Sequence, residues 1–439
     1  MSIGSNLTIA TAEYNAASEP GAAPSPSLRD PIMTSMPSES ASPSDPDDSR
    51  AGLARSSDLQ PILAGIIAAF VGFAGVFTVI LQGFIAVGAT PAQAASGLLA
   101  ICLVQGVLAM WMSWRHKMPI SIAWSTPGSV LFAATGMLDG GFPVAVGAFI
   151  VAGLLIVAAG LVKPFGKLVS SIPPVLASAM LAGILLGLCL APARAVADEP
   201  ALAIPVVLVW AIVGRLKRIW AVPAAVATAI VMIALHAPTD GLSTAHFLPD
   251  IAFVWPEFRA TAMISLAVPL FIVTMAAQNL PGIAVMKLNG YEPPVSRIFV
   301  VSGLGSVVTA FFCGHTLNLA AITAALCAGP EAHPHPGRRW IASVSAGATY
   351  LVLGLGATTA AALITIAPPV LIQAATGLAL FGAFGAALAG ATAHAADRDA
   401  AMVTFVTAAS GLSFFGVGAA FWGLVAGGAF MLLNRRWAR

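Results

Sequence analysis

Ionisable side chains are scarce in this 439-residue chain: Asp, Glu, Lys and Arg make up 9% of it, against roughly 25% in an ordinary soluble domain. So few charges could not cover the surface of a water-soluble protein this long, whereas lipid requires no polar cover. Apolar residues fill the difference, at 58%. One-sided charge is lacking too. The net charge is +2 and the basic residues are dispersed rather than gathered on one face, which argues against nucleic acid as a partner. Cysteine is sparse: Cys102, Cys189, Cys313 and Cys327 stand singly in apolar stretches without ligand spacing and read as small buried residues. His333 and His335 form a His-Pro-His loop that no further ligand joins, so neither a metal nor a cofactor is expected. Carboxylates are missing from every long apolar run; Asp139, Asp198, Glu199, Asp240, Asp250, Glu257, Glu292, Glu331, Asp397 and Asp399 all fall in loops or at run ends. Proton-driven carriers usually keep an intramembrane carboxylate as relay, so a proton here must use a histidine, a loop acid or the substrate itself.

What remains is an all-α polytopic membrane protein. A span needs about 20 apolar residues to cross roughly 30 Å of hydrocarbon. Runs of that length or slightly less lie near 61–88, 91–114, 120–137, 141–162, 172–191, 201–214, 219–236, 261–286, 297–312, 315–328, 339–362, 367–391, 400–415 and 416–433, which makes fourteen. Residues 1–58, rich in Ser, Pro, Ala and Asp and without apolar periodicity, read as a disordered tail. With both termini in the cytoplasm, all 20 Lys and Arg except Arg194 and Arg259 fall on the inner side, as the positive-inside rule requires. A miscounted span would invert every later loop and destroy that pattern.

The chain also repeats itself. Ile172-Pro173-Pro174-Val175-Leu176 returns as Ala367-Pro368-Pro369-Val370-Leu371, an offset of 195 residues, and Gln82 finds Gln278 at 196. The halves are thus seven spans each, 59–236 and 259–439, joined by an external loop at 237–258. Seven is odd, so the second half must sit inverted. Inverted repeats are a construction of secondary transporters, with the substrate site between the halves at mid-membrane.

Broken helices form such sites, because irregular backbone is tolerated at membrane depth only around a cavity or within protein. The third span of each half carries a break. Trp124-Ser125-Thr126-Pro127-Gly128-Ser129 offers Thr126 and Ser129 hydroxyls, a proline without N–H and the conformational freedom of Gly128. Gly314-His315-Thr316-Leu317-Asn318-Leu319 leads into a helical run from Ala320. Two opposed helix N-termini make a carboxylate site, with Thr126, Gly128, Ser129, Thr316 and Asn318 as its expected residues. Gln278-Asn279-Leu280-Pro281-Gly282 puts two adjacent amides deep in a span, where they must bond to a ligand or to another helix. His315 is the titratable group expected within the site, and between two helix starts its imidazolium would be favoured once an anion binds.

At these residues the chain resembles the benzoate transporter family (BenE-type benzoate–proton symporters): QNLPG, GHTLNLAAITAA and GPEAHP, with TPGS earlier, are its motifs, and the likeness covers roughly 55–435. The family is related to the uracil permease and sulfate permease fold. The resemblance implies a seven-plus-seven inverted repeat with a core domain (spans 1–4 and 8–11) and a gate domain (spans 5–7 and 12–14). It implies short extended segments in spans 3 and 10 and a bacterial inner-membrane location. Uracil-type permeases carry glutamates where this chain has Gln278-Asn279 and His315 with Asn318, which argues against a nucleobase.

The expectation is a carrier, not an enzyme. It would import benzoate or a similar small aromatic carboxylate with protons by alternating access, Gln278 and Asn279 orienting the substrate and His315 coupling the proton. Phe73 or Trp124 would pack the ring. A carrier of another small organic anion or metabolite, nucleobase-like or sulfate-like, is the alternative, with a channel behind it. The lipid bilayer is the surrounding partner, and a homodimer is allowed without being required.

Overall fold

A computed structural model describes residues 59–74, 76–162, 173–236, 251–415 and 417–437. The sequence-predicted tail at 1–58, with Ile172, Lys163, Lys167, Asp240 and Asp250, lies outside the described residues. Span 1 consists of α1 (Leu59–Ala74) and α2 (Phe77–Ala86), span 2 of α3 (Pro91–His116). Span 3 is a strand, β1 (Ile122–Trp124), running into α4 (Thr126–Thr135); span 4 is α5 (Phe142–Leu161). Spans 5 to 7 are α6 (Pro174–Cys189), α8 (Pro200–Leu216) and α9 (Ala221–His236), with a short α7 (Ala191–Asp198) between the first two. The second half repeats the series: α10 (Ala260–Leu288), α11 (Val295–Phe311), β2 (Leu317–Leu319) into α12 (Ala321–Ala328), then α13 (Trp340–Leu355) with α14 (Ala357–Ile366). Its last three spans are α15 (Pro369–Thr392), α16 (Arg398–Ala409) and α17 (Ala419–Trp437).

Local chemistry sets several of these boundaries. Thr90 caps α3, its hydroxyl accepting from the Gln93 amide at 3.2 Å while the Gln93 side chain accepts from the Thr90 amide at 2.9 Å, and Pro91 occupies the first turn, where its missing N–H costs nothing. Spans 13 and 14 do not abut at 415–416 as the apolar runs suggest. Helix α16 stops at Ala409, Gly411 turns the chain with φ +66°, and a small hairpin pairs Ser413 with Gly418 and Phe414 with Val417. Composition could not separate those hairpin residues from membrane helix.

The packing carries the repeat more clearly than the sequence does. Span 4 packs along span 9, and span 2 along span 11. Span 1 touches spans 10 and 11, and span 8 touches spans 3 and 4. Span 5 lies on span 12; spans 6 and 7 pair as spans 13 and 14 do. Replacing each span by the one seven further on maps this set of contacts onto itself, so the fold is a two-fold inverted repeat. Spans 1–4 with 8–11 form one layer, the core, and spans 5–7 with 12–14 the other, the gate. Small residues let the core helices close on each other: Gly153 lies against Gly303 between spans 4 and 9, and Gly106 against Gly347 between spans 2 and 11. A Cβ added at Gly106 would stand 2.6 Å from the Gly347 carbonyl oxygen.

Candidate functional site

The two broken spans meet at the repeat axis. Strands β1 and β2 pair antiparallel, Ile122 opposite Leu319, Ala123 opposite Asn318 and Trp124 opposite Leu317. Ala123 and Asn318 are themselves 195 apart in sequence, so at the ribbon's centre the repeat faces itself. The flanking backbone bonds obey the same relation: the Ser125 amide donates to the Thr316 carbonyl at 3.0 Å and the Ala320 amide to the Ser121 carbonyl at 2.9 Å. From this ribbon α4 and α12 depart in opposite senses, each presenting its N-terminus.

A helix start leaves its first amides without intrahelical partners, and their disposition here is specific. In α4, Pro127 has no N–H, and the Gly128 amide donates to the Ser125 hydroxyl at 3.2 Å. The Thr126 amide bonds no other described residue. In α12, the Ala321 amide donates to Gln278 Oε1 at 3.2 Å, and the preceding Leu319 amide to Asn279 Oδ1 at 2.9 Å. The Ile322 and Thr323 amides bond no other described residue. The span 8 amides therefore hold the start of span 10 in place. They can do so because α10 widens into a π turn over Met275–Asn279. Pro281 lacks the N–H that would bond the Ala277 carbonyl, which removes the competing α-helical bond. A second π turn, Met263–Ala267, precedes Pro269 in the same way.

The unpartnered amides border one cavity. It has a volume of about 240 Å³ and is lined on the core side by Trp124, Thr126, Gln278, Ile322, Thr323 and Tyr350, and on the gate side by Arg218, Val222 and Ala379. Its wall is aromatic at one end, where the Trp124 and Tyr350 rings meet edge to face at 5.3 Å and Phe73 lies 6.0 Å behind Trp124. Gln278 spends its oxygen on α12, and its Nε2 donor has no partner among the described residues. A second cavity, of about 450 Å³, is lined by Leu131, Asp139, Ile184, Ser265, Ala408 and Ala420 among others. Leu131 and Leu326, and likewise Ile184 and Ala379, are 195 residues apart and line opposite cavities. The two cavities are thus repeat-related openings between core and gate.

Of the residues expected at the site, the structure brings Thr126 and Gln278 to the 240 Å³ cavity. The others stand behind its wall. Gly128 packs so closely on Leu270 that an added Cβ would lie 2.6 Å from it. Asn279 is fully buried and its Nδ2 donates to Met275 Sδ at 3.2 Å. The Thr316 hydroxyl lies 3.4 Å from that of Thr274, which bonds Ser125 at 2.8 Å. Asn318 is buried at the centre of β2, with neither amide atom bonded. His315 does not stand between the two helix starts. It is enclosed by Phe84, Phe132 and Phe149, with ring centroids 5.6, 5.2 and 6.3 Å away, and its Nε2 meets the Ser129 hydroxyl at 3.2 Å. That Ser129 shares the first turn of α4 with Thr126, so the imidazole lies one layer behind the cavity. Ile322, Thr323, Tyr350 and Arg218 escaped the sequence reading. The helical run after Ala320 marks the first two; Tyr350 and Arg218 reach the cavity only through packing.

The GPEAHP segment closes the far end of α12. Arg339, buried, donates to the carbonyls of Ala328, the last residue of that helix, at 2.8 Å and of His333 at 2.6 Å, as a cation at a helix C-terminus should.

Residues 56–433 match the family model described as benzoate membrane transport protein. The inner membrane protein YdcO of Escherichia coli K12 is 40% identical over 376 residues, 85% of this chain and 95% of that protein. The benzoate membrane transport protein of Acinetobacter baylyi is 31% identical over 374 residues, 84% and 93% respectively. Among solved structures, the transmembrane domain of a cyanobacterium bicarbonate transporter, BicA, superposes with TM-score 0.54 at 17% identity, covering 84% of this chain and 97% of that one. Murine Slc26a9, an anion transporter in its inward-facing state, gives 0.55 at 13% identity, covering 91% and 74%. At such identities these structures speak for the fold alone.

Proposed function

The chain belongs to the benzoate membrane transport protein family, a family of membrane transporters, and from that premise we propose that it imports benzoate or a similar small aromatic carboxylate across a bacterial inner membrane. The observation that carries this reading is the 240 Å³ cavity with the free amides of Thr126, Ile322 and Thr323 and the Gln278 donor on one side, and Trp124 and Tyr350 on another. Amides at two helix starts favour an anion. The aromatic wall favours a flat apolar body. The volume lies below the roughly 300–1,000 Å³ typical of sites for drug-sized ligands, as suits a one-ring acid. Gly128, Ser129, Asn279, Thr316 and Asn318 stand behind these donors, with Ser125, Gln278 and Asn279 fixing where the two helices begin. The first repeat, residues 59–236, and the second, 259–439, act as the two halves of an alternating-access carrier, with the repeat-related cavities as its two openings.

Proton coupling is assigned to His315. An anion at the start of α4 would lie one turn from Ser129, whose hydroxyl holds the imidazole, and its charge would favour the imidazolium. Binding and protonation would then assist each other, because linkage is reciprocal. Uptake of benzoate into proteoliposomes under an imposed pH gradient tests the function; no accumulation by the wild type would defeat it. His315→Gln is expected to keep benzoate counterflow and lose pH-driven accumulation, and a variant that still concentrates benzoate like the wild type would move the relay elsewhere.

A further inference from the structure

The two openings differ in charge, although the repeat relates them. Arg218 is the only charged residue lining the 240 Å³ cavity, and Asp139 the only one lining the 450 Å³ cavity, among the described residues. Arg218 begins the short 3₁₀ turn Arg218–Trp220 that joins α8 to α9, so it belongs to the gate. Its side chain is exposed at the cavity mouth and forms no ion pair or hydrogen bond with any described residue. Its neighbours Arg215 and Lys217 do not line the cavity. The corresponding stretch of the second half, residues 410–418, contains no Asp, Glu, Lys or Arg. General inner-side positive charge accounts for a basic residue in this loop, but not for the one guanidinium that lines the cavity with no carboxylate partner among the described residues.

We propose that Arg218 is a side-specific anion-capture residue: it draws the substrate carboxylate into the 240 Å³ opening and has no counterpart at the other. This rests on the reading that the substrate is a small carboxylate. A guanidinium presents a planar fork of donors that suits a carboxylate. The helix-start amides lie on the core and Arg218 on the gate, so an anion in this cavity is held from both layers at once. When the carrier opens on the opposite side, the core amides remain with the substrate and Arg218 does not. The opposite mouth offers Asp139 instead, which repels an anion. Affinity on the Arg218 side should therefore exceed affinity on the Asp139 side, and the surplus should be sensitive to salt because the side chain is exposed.

The test is benzoate transport in proteoliposomes of defined orientation, with KM measured separately from each face for the wild type, Arg218→Gln and Arg218→Lys. An exposed charge pair is worth little, so the expected rise in KM for Arg218→Gln is about fivefold on the Arg218 face, with the other face unchanged. Arg218→Lys should recover part of the loss. Raising ionic strength should bring the wild type toward Arg218→Gln on that face alone. Equal KM values for wild type and Arg218→Gln, or equal shifts on both faces, would overturn the assignment while leaving the transport function in place. Absence of benzoate transport by the wild type would overturn the substrate reading, and this inference with it.

Discussion

Gln278 and Asn279 are adjacent amides with different duties, and the difference is measurable. Each accepts from one amide at the entry to α12, but only Gln278 borders the cavity. Gln278→Ala removes a donor to a charged ligand, typically about 1.5–3 kcal/mol, so benzoate affinity should fall roughly ten- to 150-fold. Asn279→Ala instead strands the buried Leu319 amide, a cost of about 1–3 kcal/mol in stability. Its melting temperature in detergent should drop more than that of Gln278→Ala. Calorimetric titration and thermal melts on both variants check the split; equal thermal losses with unchanged affinity in Gln278→Ala would make both residues structural braces. Ser125 is a third such residue, capping α4 while bonded to Thr274 across span 8.

At the scale of the element, the π turns decide where span 8 points its polar residues. A regular helix through 275–279 would rotate Gln278 and Asn279 relative to everything before them. Pro281→Ala restores the N–H that can bond the Ala277 carbonyl and so favours the regular helix. The expected outcome is a carrier as stable as the wild type, or more so, with benzoate affinity reduced at least tenfold. Wild-type affinity in this variant would show that the π turn does not need its proline. The half-helices are equally element-scale devices. At ten and eight residues, α4 and α12 are too short to cross the bilayer, and each reaches its depth through the extended strand that precedes it.

At the scale of the whole molecule, two repeat-related openings between core and gate are what an alternating carrier requires. If the chain threads as its basic residues indicate, Asp139 and Lys217 lie on opposite faces. A membrane-impermeant thiol reagent should then label cysteine at position 139 from outside and cysteine at position 217 only from inside. Background should be low, since Cys102, Cys313 and Cys327 are buried and Cys189 is half-buried. Labelling of both positions from the same face would break the proposed topology.

Composition alone determined that this chain lives in lipid, because 9% charge cannot solvate a surface of this size. The proline-pair repeat at 173 and 368, with the odd number of spans in each half, determined the inversion. The breaks at Thr126-Pro127-Gly128 and before Ala320 were legible because proline, glycine and clustered polar residues cannot sit in a lipid-facing helix without compensation. Tertiary structure decided which of those polar residues meet the cavity. A π turn rotates all that follows it, so adjacency in sequence could not separate Gln278 from Asn279; Thr126 and Ser129 share one helical turn and differ only in what packs against each. His315 went into a cage of phenylalanines contributed by spans 1, 3 and 4, and Arg218 reached the cavity from the gate. Both depend on contacts between spans far apart in the chain, which no local pattern of residues records.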